Sequence, residues 1–135
     1  MPSAWCEQLI REVSRNQLAG KRGIQLHDIQ ALPTPAECQQ FLSEGYNALL
    51  SLALVEISLR LARGDVLSMY AEMHGQLTEL ASGRLAWRRY ESAMSAQSYP
   101  LDRYMANEGE LFRSVAEDLI KKVTQRLVYD FVYVQ

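Results

Sequence analysis

Two cysteines, Cys6 and Cys38, are too few to staple a fold of 135 residues. They read as reduced thiols packed like small hydrophobes, the alternative being one disulfide between two helix starts. Histidine is as scarce. His27 and His74 are preceded three residues earlier by Ile24 and Ala71, not by glutamate, so the ligand pattern of a di-iron bundle is missing. Cys6, Cys38 and one histidine would form a zinc site only if folding happened to bring them together. No metal and no cofactor is expected. Nor is there a Gly-x-Ser-x-Gly elbow, a cysteine with a histidine near it, or a Walker or dinucleotide spacing. Gly20-Lys21-Arg22-Gly23 reads as a solvated turn. No catalytic residue is assigned, and the chain is expected not to be an enzyme.

Charge of one sign is lacking too. The net charge is −2 with acids and bases interspersed, so no basic stripe points to nucleic acid. Long hydrophobic runs are absent. The richest, 48–61, is broken by Ser51, Glu56, Ser58 and Arg60, which argues against a membrane span. The start, Met1-Pro2-Ser3-Ala4-Trp5, lacks the charged and apolar regions of a leader. A cytoplasmic protein is expected, or a periplasmic one if a leader has been removed. Lysine is rare, 3 against 11 arginines, a bias of GC-rich bacterial genomes.

What the chain has is apolar surface, 48% of its residues, with 22% charged. That is ordinary for a single globular domain over 1–135. Thr34-Pro35-Ala36-Glu37 is a helix start: a threonine cap, proline where no N–H is needed, and glutamate placed to reach back to the cap. A helix over 35–62 is predicted from it. Its apolar residues, Cys38, Phe41, Leu42, Tyr46, Leu49, Leu50, Leu52, Ala53, Ile57 and Leu59, cover more than half the circumference at 100° per residue. So wide an arc implies a central helix or a second subunit, most simply in a symmetric dimer. Gly45 inside it implies a close helix approach.

Trp5, Cys6, Leu9, Ile10 and Val13 mark an earlier helix ended by Gly20. Arg63-Gly64-Asp65 is a tight link to a third helix over 66–94. A fourth starts near Asp102, with Leu111, Phe112, Val115, Leu119, Ile120 and Val123 in phase. The fold expected is mainly α: a four-helix, up-down, bundle-like domain. The C-terminal residues 128–134 are β-branched and aromatic and favour a strand, with 23–29 as its partner. The phase of the fourth helix also runs on through Leu127, Val128, Phe131 and Val132.

One irregularity suggests function. Arg84, Arg88 and Glu91 continue the apolar stripe of the third helix, with Trp87 and Tyr90 among them. Arginine stems can snorkel over apolar surface, and Glu108 is a candidate countercharge for Arg88. Arg, Trp and Tyr are also the residues enriched at interface hot spots. Arg84, Trp87, Arg88, Tyr90 and Glu91 are therefore the candidate partner-binding residues. Met69 and Met73 read as core. The function expected is non-enzymatic protein binding, as an adaptor, chaperone or assembly subunit, with a protein partner and self-association. The alternative is a bundle that binds an apolar small molecule or lipid, and an enzyme of unknown class comes third.

Overall fold

The computed structural model describes residues 4–19, 21 and 33–133. It corrects the mainly α expectation: the middle of the chain is an antiparallel sheet, not a helix pair. The elements are α1 (Ala4–Leu18), α2 (Pro35–Ser43), β1 (Ala48–Arg63), β2 (Val66–Glu79), β3 (Leu85–Met94), β4 (Tyr99–Pro100) and α3 (Leu101–Tyr133). The strand order is β1-β2-β3, and β4 pairs with β2 beside Val66 and Leu67. β3 and β4 therefore share one edge of β2, and β1 holds the other.

The start of α2 is built as the sequence describes. Thr34 Oγ1 accepts from the Glu37 N–H at 3.2 Å, and the Thr34 N–H donates to Glu37 Oε1 at 3.0 Å. The helix stops at Ser43, however, not near position 62. Gly45 adopts φ +96° with nothing near the place of a Cβ. It is a turn glycine, not a helix contact. The wide apolar arc was two sets of alternating strand residues. Leu50, Leu52 and Leu54 pair with Leu77, Gly75 and Met73, and Ile57, Leu59 and Leu61 pair with Ala71, Met69 and Leu67. A bulge at Val55 separates the sets and keeps both on one face. With that arc gone, so is the argument for a dimer that rested on it.

The link at 63–65 is a hairpin turn, with Gly64 at φ +58°. The predicted third helix over 66–94 is the β2–β3 hairpin. On β2, Met69, Ala71 and Met73 are fully buried, and the residues between them face the other way.

α3 opens with one turn that buries Tyr104, whose hydroxyl donates to the Leu67 carbonyl at 2.8 Å. Three left-handed residues, Asn107, Glu108 and Gly109, then redirect the chain. Left-handed backbone costs about 1–2 kcal/mol for each non-glycine residue. Beyond, Ala116, Leu119, Ile120, Val123, Thr124, Leu127 and Val128 form a buried helical stripe. The helix continues to Tyr133, which corrects the terminal strand of 128–134; its proposed partner, 23–29, lies outside the described residues. The β propensity of the terminus is overridden because Val128 is buried and Phe131 meets Trp87 edge-on at 5.1 Å. α1 packs against α3: Cys6 and Ile10 join the core, and the Gln17 amide donates to the Gln125 carbonyl at 2.9 Å.

Gly75 lets this core close. A Cβ there would sit 3.0 Å from Leu52 Cδ2 and 3.0 Å from two Trp87 ring atoms. Gly75→Ala should therefore destabilise the fold by about 1–3 kcal/mol through overpacking. A urea midpoint unchanged from wild type would show that Trp87 is free to move away.

Candidate functional site

Both long helices lie on one face of the sheet, with Leu52, Leu54, Met69, Ala71, Met73 and Trp87 beneath them. Among the described residues no helix covers the other face. Strand alternation places Glu56, Ser58 and Arg60 there from β1, Tyr70, Glu72, His74 and Gln76 from β2, and Arg88, Tyr90, Ser92 and Met94 from β3. Tyr90 stacks on His74 with ring centroids 4.4 Å apart and planes at 15°. Tyr90 stays 58% exposed and Met94 43%.

Around Glu56 and Glu72 the polar groups of this face are bound to one another; His74 Nε2 is buried without a hydrogen-bond partner. Glu56 lies directly across from Glu72, a like-charge pairing that by itself destabilises a sheet. Arg60 relieves it. Its guanidinium pairs with Glu56 Oε2 at 2.9 Å and lies 3.6 Å from the centre of the Tyr70 ring. The Ser58 hydroxyl also donates to Glu56, at 2.7 Å, and these two hydrogen bonds hold the Glu56 carboxyl below its usual range. The Tyr70 hydroxyl donates to Glu72 at 2.6 Å, which pushes the phenol up; a hydrogen bond from Ser92 works the other way. The result is a preorganised surface of guanidinium, phenol and imidazole.

The five candidate partner-binding residues do not converge. Arg88 and Tyr90 share the open face. Trp87 and Glu91 point to the helices, Trp87 against Phe131. Arg84 sits in the β2–β3 turn, clamped to Glu79 at 3.0 and 3.2 Å. The pair imagined between Arg88 and Glu108 is replaced by a neighbour: Arg89 meets Asp130 at 2.7 Å. The i,i+4 spacing of Glu56 and Arg60 suits the ion pair they form, but their place on this face, and the part of Tyr70, Glu72 and His74 in it, were missed. A polar residue at every second position of β2 was the signal for the last three.

A second cluster lies on the helix side. Arg89 also reaches Glu91, at 3.5 Å, at the end of an open cleft of about 1070 Å³ between α1, α3 and β3. Asn16, Gln17, Lys122, Gln125 and Arg126 line it beside Val13 and Tyr129, so its walls are mixed, with polar groups set among apolar surface. Of the residues weighed as metal ligands, Cys6 is buried in the core, Cys38 is half-buried on α2, His74 is under Tyr90, and His27 lies outside the described residues. Among the described residues, no three His, Cys, Asp or Glu side chains are grouped to hold a metal.

No protein-family model matches the sequence, and no curated protein matches it. Solved structures do. A hypothetical protein from Chlamydia trachomatis is 14% identical, with 100% of this chain and 92% of that one covered at a TM-score of 0.55. A minor lipoprotein from Acinetobacter baumannii is 15% identical, with 96% and 86% covered at a TM-score of 0.53. The likeness is one of fold. Among the described residues no helix is long and apolar enough to cross a membrane.

Burial first, and then the hydrogen bond and charge of Asp130, push the Glu91 carboxyl above its ordinary value of 4.5, with Arg89 opposing them. The folded protein therefore holds this proton at pH values where the unfolded chain has released it. Stability from this group is lost as pH rises from 4.5 through the raised value. Wild type should thus lose stability relative to Glu91→Gln across that window. Urea midpoints of the two proteins that stay a constant distance apart across it would refute the assignment.

Proposed function

We propose that the chain is a non-enzymatic protein-binding subunit, an adaptor or assembly factor, that receives its partner on the open face of the sheet. The observation that carries this reading is the exposed group of Tyr90, Arg88, Met94 and Arg60 on a face opposite both long helices. Aromatic rings and arginines contribute disproportionately to interface energy; the rings bury a large area at little cost in side-chain freedom, and the guanidinium presents several donors in one plane. His74 and Glu56 already hold Tyr90 and Arg60 in place, so less ordering remains for a partner to impose. The cleft between α1, α3 and β3 is open to solvent and lends less support to the reading in which an apolar ligand is enclosed. We further propose a location at the cell envelope. The fold is shared with a protein named as a lipoprotein, and the cytoplasmic location expected from the sequence draws no support from that likeness.

Site-specific photo-crosslinking in the native cell tests the surface. A crosslinker at position 90 or 94 should give a discrete adduct with another protein, and one at Asp118 on the exposed side of α3 should not. With that partner purified, Tyr90→Ala should weaken binding by about 1–2 kcal/mol or more and leave the thermal midpoint nearly unchanged. Equal adducts at all three positions, or none at 90 and 94, would refute the open face as the docking surface.

A further inference from the structure

β1 is an outer strand; among the described residues it pairs with β2 alone. Its outer edge, unpaired among the described residues, carries a row of backbone N–H and C=O groups, a template for one more strand. Proline and lysine are absent from Ala48–Arg63; two bulges and the charges of Glu56 and Arg60 are the edge-guarding features present. Bulges after Leu54 and after Leu61 bound a regular run, 56–61. Large apolar side chains stand exposed at its two ends, Val55 at 52% and Leu61 at 72%.

The run is complementary to itself. In an antiparallel pairing about a two-fold axis normal to the sheet, each residue meets one on the same face, and every contact occurs twice. With the axis at Ser58, Glu56 faces the partner's Arg60, and Arg60 the partner's Glu56. On the helix side Ile57 faces the partner's Leu59, and Leu61 reaches the partner's Val55. An axis at Ile57 or Leu59 leaves Glu56 opposite serine or alanine and Arg60 opposite leucine or serine, so the charges match in one register. The groups are available for it: Glu56 and Arg60 are about half exposed and bonded within their own strand at 2.9 Å. Pairing exchanges an internal ion pair for two across the axis.

We infer that β1 joins a second copy of itself edge to edge, about a two-fold axis at Ser58, and that the two sheets become one. The helices of both copies then lie on one side and the two open faces on the other.

Sedimentation equilibrium of the full chain, over a concentration series from low micromolar to sub-millimolar, should show a monomer–dimer equilibrium. Glu56→Arg sets arginine against arginine across the axis and should weaken dimerisation by about tenfold or more. The double exchange Glu56→Arg/Arg60→Glu restores opposite charges and should restore the dimer. A melting curve for each variant separates loss of pairing from loss of fold. In a Cys38→Ser background, Ser58→Cys should oxidise to a cross-linked dimer, because the two sulfurs meet at the axis. Ser51→Cys, on the same face but outside the run, should not. A monomer at every concentration overturns the inference, as does a dimer indifferent to Glu56→Arg or not recovered by the double exchange. Such a failure leaves the open-face reading standing, because Arg88 and Tyr90 lie on β3.

Discussion

The structure hangs on the central strand, β2. It is hydrogen-bonded on both edges and covered by α3 on one face, so its backbone and half its side chains are withdrawn from water. Met69, Ala71 and Met73 make no contact with solvent, and the Thr124 hydroxyl lies 3.1 Å from the Met73 sulfur. The absence of a side chain at Gly75 admits the Trp87 ring, and Trp87 in turn seats Phe131. One small residue in the middle of the sheet thereby sets how closely the last turns of α3 approach β3, and with them the ion pair between Arg89 and Asp130. The opposite face of the same strand, with Tyr70, Glu72 and His74, is the floor of the candidate surface.

The helix start at Thr34 and the helical stripe of 116–128 were legible, because caps and a period of 3.6 are local signals. The strands were not, for two reasons. Met69, Met73 and Leu77 recur every four residues, a spacing that fits a helical face and a strand face equally well. On β1, alternation holds on each side of Val55 but slips by one residue at the bulge. On a helical wheel the two halves together spread apolar residues almost everywhere. An apolar arc too wide for a helix was itself the sign of a strand. Leucine, alanine, glutamate and arginine, all good helix formers, fill these segments, and tertiary pairing overrode their propensity.

The site was legible only in part, and for the same reason. Read as a helix, 84–91 places Arg84, Trp87, Arg88 and Glu91 on one side; read as a strand, it separates each residue from its neighbour. Arg88 and Tyr90 stay together because they are two apart. The stacking of Tyr90 on His74, and the reach of Arg60 over Tyr70, depend on strand register, which follows from turn geometry and the side-chain alternation that a helical reading hides.

The order of synthesis gives the packing of α1 another meaning. The three long strands are joined by two tight turns, so their pairing involves short loops and can begin while the chain is still being made. α1 is different. Its main support is α3, and the bond from Gln17 to Gln125 spans 108 residues. α1 is made before α3 and waits for it before Cys6 and Ile10 find cover. Until then the underside of the sheet stands bare. A chain that stopped before α3 would carry two apolar surfaces with nothing to join them.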